Sequence, residues 1–90
     1  MLKITIDKHE SETHFILEGR LTGLWVTELH QVIISSDSAP DAVNLNLEGL
    51  RFVDQHGINL LRDLSSWGVR LISLPPFVME LLKEGQQNKG

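Results

Sequence analysis

Apolar and polar residues alternate at the start of the chain. Leu2, Ile4 and Ile6 stand between Lys3, Thr5 and Asp7, the period of a half-buried strand. The polar stretch Lys8 to Glu12 reads as a turn, and Thr13 to Glu18 as a second strand closed by Gly19. So short a connection predicts an antiparallel hairpin. The period then changes. Trp25, Leu29, Val32 and Ile33 recur at i, i+4, i+7 and i+8, one stripe of a helix that begins at Leu24. Thr22 or Gly23 caps it, and the polar run 35–41 ends it.

Ala42 to Leu47 supplies a third strand with Val43, Leu45 and Leu47 on one face, leaving Asn44 and Asn46 on the other. Asp54 has the character of an N-cap, its carboxylate placed to accept the free amides of His56 or Gly57. The helix that follows buries Ile58, Leu61 and Leu64, with Leu60 and Trp67 widening the stripe and Gly68 at the C′ position. Val69 to Leu74 reads as a fourth strand, stopped by Pro75-Pro76, and a proline suits the first turn of the helix beyond. Phe77, Val78, Leu81 and Leu82 make that helix amphipathic and Gly85 stops it, so 86–90 is expected to be a flexible tail.

The predicted order is β-β-α-β-α-β-α in one α/β domain, residues 1–85. Strands flanking each of the two longer helices pair in parallel through right-handed crossovers, giving a mixed four-stranded sheet with three helices.

Composition narrows the function. The chain has 90 residues, 12 acidic and 8 basic side chains and a net charge of −4. The basic residues are scattered, which argues against nucleic acid as a partner. Apolar runs of three or four residues are far short of the ~20 that span a bilayer, and the alternating N-terminus does not build a signal peptide. A cytoplasmic protein is expected. Without cysteine there is no disulfide, thiol nucleophile or thiolate metal site.

No catalytic or cofactor-binding constellation emerges. The seven glycines are dispersed, with no phosphate-cradling loop. His9 and His14 are five residues apart across a turn, and His30 falls on the solvent side of its helix, so no metal site is expected. Ser35 and Ser36 have no adjacent base and make no hydrolase triad. Trp25, Trp67 and Phe77 read as core or core-edge residues, which gives a small-ligand pocket weak support. The exception is Phe52-Val53-Asp54-Gln55-His56-Gly57. It stands where a parallel strand delivers the chain to a helix N-terminus, the usual binding end of such a sheet, and the helix dipole there favours anions. Gly57 leaves room for a backbone to approach. On residue types alone, a plain capped helix start explains the segment somewhat better than a binding turn does.

Three segments carry a resemblance. The run Phe15-Ile16-Leu17-Glu18-Gly19-Arg20-Leu21-Thr22-Gly23 resembles the opening signature of STAS domains, the family of anti-sigma-factor antagonists. Residues 45–57, Leu-Asn-Leu-Glu-Gly-Leu-Arg-Phe-Val-Asp-Gln-His-Gly, are similar to its central motif, of the form Asp-Leu-Ser-Gly-Val-x-Phe-Ile-Asp-Ser-Ser-Gly. Leu71 to Val78 is similar to the last strand, turn and helix of those domains. The resemblance implies a non-enzymatic module without cofactor or metal. It would dock a partner ATPase, often a kinase-type anti-sigma factor, through Asp54, Gln55, His56 and Gly57 together with Thr22. A subgroup of the family instead binds the ABC ATPase of a lipid transporter.

The departures from the motif are informative. His56 occupies the phosphoacceptor position, Gln55 stands beside it, and Asn46 replaces the motif's first aspartate. Carried over strictly, the hydroxyl phosphorylation switch is lost. His56 then reads as a constitutive docking residue, as a neutral replacement on a surface that no longer binds, or as a phosphohistidine carrier. A pH-sensing imidazole is a further reading. The helix dipole and the Asp54 carboxylate push its protonation in opposite directions, leaving the sign open.

Overall fold

The computed structural model describes residues 1–87. Four strands, β1 (Leu2–Lys8), β2 (Thr13–Leu21), β3 (Val43–Val53) and β4 (Arg70–Ile72), form one mixed sheet in the order β1-β2-β3-β4. β1 and β2 are antiparallel, while β2–β3 and β3–β4 are parallel. Helices α1 (Leu24–Ser35), α2 (Gln55–Ser66) and α3 (Pro76–Gln87) follow β2, β3 and β4, and a short 3-10 turn, Pro40–Ala42, leads into β3. The element order, sheet composition and strand directions match the sequence reading. This is the arrangement that the resemblance to STAS domains implies.

Alternation along β2 explains where the core sits. Phe15, Leu17 and Leu21 are fully buried, as are Val43, Leu45 and Leu47 of β3. Against them lie Leu29 of α1, Ile58, Leu61 and Leu64 of α2, and Val78 of α3, in one cluster. The opposite sheet face carries Lys3, Thr5, Glu18, Arg20, Glu48 and Phe52, all exposed. Asn44 is buried on that side and donates to the Glu12 carboxylate at 3.0 Å. Its polarity is thereby satisfied, as burial demands. His14 and Arg70 approach the same carboxylate at 3.4 and 3.8 Å, tying β2, β3 and β4 together at one end.

Several boundaries differ from the sequence reading. β2 continues through Gly19 to Leu21, and β3 runs to Val53 instead of ending at Leu47. Two register shifts accommodate this: Ile16 and Glu18 face Asn46 and Gly49, and Gly19 and Arg20 face Leu50 and Phe52. At each, β3 contributes one extra residue, a bulge that bends the strand. The buried set on β3 therefore steps from Leu47 to Leu50 and then to Val53, which strict alternation does not anticipate.

β4 is only three residues long, because Ser73 turns the chain at φ 55° just before the two prolines. Gly68 occupies C′ of α2 at φ 111°, as its lack of a side chain permits. Trp67 and Phe77, expected in the core or at its edge, are 51% and 36% exposed. The Trp67 ring lies 5.9 Å from that of His30, which is half-buried against it and not on the solvent side. α3 passes through Gly85 to Gln87 and does not stop at that glycine. Of the expected tail 86–90, Gln86 and Gln87 are thus helical, and residues 88–90 lie outside the described residues. Arg62 of α2 holds α3 by donating from Nη2 to the Leu81 carbonyl at 3.1 Å.

Candidate functional site

The bulged end of β3 delivers Asp54 to the head of α2 with extended backbone, φ −87° and ψ −177°, the conformation of an N-cap. Its Oδ1 accepts the Gly57 amide at 2.8 Å. Its Oδ2 accepts the Gly23 amide, which heads α1, at 3.1 Å. The backbone completes the joint, since the Asp54 amide donates to the Leu21 carbonyl at 3.2 Å and the Ile58 amide to the Asp54 carbonyl at 3.0 Å. One carboxylate therefore closes the N-termini of two helices that are remote in sequence.

These bonds govern its protonation. Burial pushes the Asp54 carboxyl upward, but the Gly57 and Gly23 amides, the His56 charge and the His56 amide together outweigh it. The net result holds the group below the usual carboxylate range.

The residues expected at the site fall into two groups. Asp54, half-buried, and Gly57, buried, form the frame of the turn. Gly57 is buried, and a β-carbon there would come within 2.7 Å of the Leu21 carbonyl oxygen and 2.6 Å of a Val53 methyl. The backbone that approaches Gly57 is thus the chain's own, correcting the expectation of space for an incoming one. Gln55 and His56 are exposed, and Thr22 is half-buried. Gln55 donates from its amide to Asn59 Oδ1 at 3.1 Å, along the outer face of α2. The His56 ring carries none of the turn's hydrogen bonds.

Leu24 was missed by the sequence reading. It follows Gly23 at the head of α1 and is 86% exposed, beyond any other large apolar side chain described. Its signal was present: Leu24 shares its helix face with Glu28 and Gln31, off the Trp25–Leu29 stripe. Phe52, 45% exposed, lies under the Arg20 guanidinium at 4.9 Å from the ring centroid, on the open sheet face.

Among the described residues, no cluster of three or more histidine, aspartate or glutamate side chains is arranged to hold a metal ion. Ser65 and Ser66 lie at the far end of α2, well separated along the helix from His56. No described helix is long and apolar enough to cross a membrane. The arrangement offers an exposed leucine, an amide and an imidazole on two helix ends locked by one carboxylate.

No family model matches the chain, and no curated protein matches it. Solved structures do. The anti-sigma factor antagonist SpoIIAA, in its unphosphorylated form, is similar with a TM-score of 0.65 at 18% identity, over 90% of this chain and 82% of that one. Mglu is similar with a TM-score of 0.59 at 19% identity, over 74% of this chain. The chain spans 18% of the length of Mglu. These likenesses show the fold.

Proposed function

We propose that this STAS-fold chain is a non-enzymatic docking module of the anti-sigma-factor-antagonist type, working in the cytoplasm. Leu24, Thr22, Gln55 and His56 contact the partner, while Asp54 and Gly57 hold them in place. The observation that carries this reading is Leu24, 86% exposed one residue from an amide that Asp54 fixes. A large apolar side chain on a rigid, otherwise polar helix end gains its burial from a partner, and central apolar anchors dominate binding energy.

The likeness to SpoIIAA, an anti-sigma factor antagonist, supports an anti-sigma factor as that partner, and the STAS resemblance implies one of the kinase type. His56 stands where the resembling family places its phosphoacceptor serine. An imidazole offers no hydroxyl to phosphorylate, so docking here is constitutive.

Affinity capture from source-cell lysate with ATP and magnesium tests the proposal, comparing wild type with Leu24→Asp. Recovery of a kinase-type ATPase that the variant loses supports it. An ABC ATPase lost in the variant moves the module to transporter accessory work on the same surface. If every captured protein binds both forms equally, the proposed surface is wrong.

A further inference from the structure

The sheet order places β1 at a margin, and among the described residues no strand pairs with its outer edge. The Arg20 amide donates to the Met1 carbonyl at 2.9 Å, and the β1–β2 register sets Leu2 against Gly19, hence Met1 against Arg20. In an antiparallel ladder, paired and unpaired backbone groups alternate. Lys3, Thr5 and Asp7 therefore spend their backbone groups on β2, while those of Leu2, Ile4, Ile6 and Lys8 point outward. An added antiparallel strand must match outward groups with outward groups.

We propose that the occupant of this edge is a second copy of the chain, paired β1 to β1 about a twofold axis through Thr5. That register opposes Ile4 to Ile6 and Leu2 to Lys8 in hydrogen-bonded pairs. It sets Lys3 against Asp7 of the second copy in the non-hydrogen-bonded positions, where side chains come closest. Symmetry forms the Lys3–Asp7 pair twice. The neighbouring twofold axes, through Ile4 or Ile6, oppose Lys3 or Asp7 to Thr5 and shorten the ladder.

Charge thus selects both the register and the occupant. An edge lysine ordinarily repels an incoming strand, but here the aspartate that neutralises it lies four residues along the same strand. The apolar side agrees. Ile6 is 52% exposed and flanks an open groove of about 440 Å³ shared with Phe15 of β2 and Val32 of α1. Ile4 of the second copy stands opposite Ile6 and covers it, removing apolar surface from water. The product is a continuous eight-stranded sheet, twice the four strands of one copy. Thr22, Leu24, Gln55 and His56 take no part in it, so it stands or falls separately from the docking reading.

Sedimentation equilibrium of the full chain across the micromolar to millimolar range tests it, with circular dichroism confirming that each variant is folded. Wild type should form dimers. Lys3→Asp and Asp7→Lys should each weaken dimerisation about tenfold or more by placing like charges in apposition. An equimolar mixture of the two variants should dimerise again, because the clash in each becomes an opposite-charge pair across the mixed interface. A wild-type monomer at the highest concentration, dimers indifferent to both variants, or a mixture that stays monomeric overturns the proposal. Amide hydrogen exchange on wild type gives a readout independent of the variants. Protection at Ile4, Ile6 and Lys8 should rise with protein concentration, while Lys3, Thr5 and Asp7 stay protected throughout. Concentration-independent exchange at the first three also overturns it.

Discussion

Asp54 accepts the Gly23 amide at 3.1 Å across a separation of 31 residues in the chain. An N-cap normally serves the helix it begins, and here the same side chain also fixes the start of the helix before it. Leu24 and His56 each flank an amide so held, and their relative placement depends on one carboxylate.

Removal of that carboxylate should cost more than an ordinary cap. Asp54→Ala loses the Gly57 bond, worth about 1 kcal/mol in typical caps, and the Gly23 bond, worth about 1 kcal/mol more. Asp54→Asn retains one accepting oxygen and should fall between wild type and alanine. Urea denaturation gives the order, and an alanine variant within ~0.5 kcal/mol of wild type would contradict the double role.

Acid should erase this contribution with a definite sign. The Asp54 carboxyl titrates lower in the folded chain than in the unfolded one. Its stabilisation is therefore complete above the unfolded value, about 3.9, and is lost as pH falls from there through the folded value. The urea midpoints of wild type and Asp54→Asn should differ at about pH 5 and converge as the pH falls below about 4. A gap that widens on acidification would reverse the assignment.

Gly57 should tolerate no side chain. In Gly57→Ala the new methyl meets the Leu21 carbonyl and Val53 below 3 Å, and such overpacking costs about 1–3 kcal/mol. A loss of some 4–8 °C in melting temperature per kcal/mol follows for a domain of this size. Unchanged melting would show that the turn can open to make room.

Leu24→Asp should leave stability within ~0.5 kcal/mol of wild type, since the side chain is nearly free of neighbours. Partner binding should nevertheless be lost. Gln55→Ala should weaken it less, because the amide already bonds Asn59. Isothermal titration with the captured ATPase measures both, and the reverse order would relocate the contact to α2.

Incubation with the ATPase, ATP and magnesium should leave His56 unmodified. Intact-mass measurement after alkaline work-up checks this, because a phosphorylated imidazole survives base and is lost in acid. A phosphoryl adduct absent from His56→Ala would make the residue a phosphate carrier.

Much of the fold is legible in the residues themselves. Alternation at Leu2–Ile6, the Trp25–Ile33 stripe, the Asp54 cap and Gly68 each act locally, and the structure keeps them. What escaped depends on non-local pairing. Gly19 reads as closing the second strand and Leu47 as the last residue of the third, yet β1 and the bulged β3 carry the ladder past both. The second bond of Asp54 needs α1 and α2 to meet head to head, which no sequence spacing encodes. Trp67 and Phe77 have core-like chemistry at helix margins, where position overrides residue type. The site motif was legible as a turn. Which of its side chains hold the frame and which face outward needed the three-dimensional arrangement.

Because the His56 ring bears none of the turn's bonds, the residue at that point can change its chemistry without disturbing the architecture. Hydroxyl, imidazole or carboxamide can each be mounted on the same frame. On the docking function proposed above, a regulated surface and a permanently adhesive one are then separated by a single codon, and natural variation can explore one from the other while the fold stays intact.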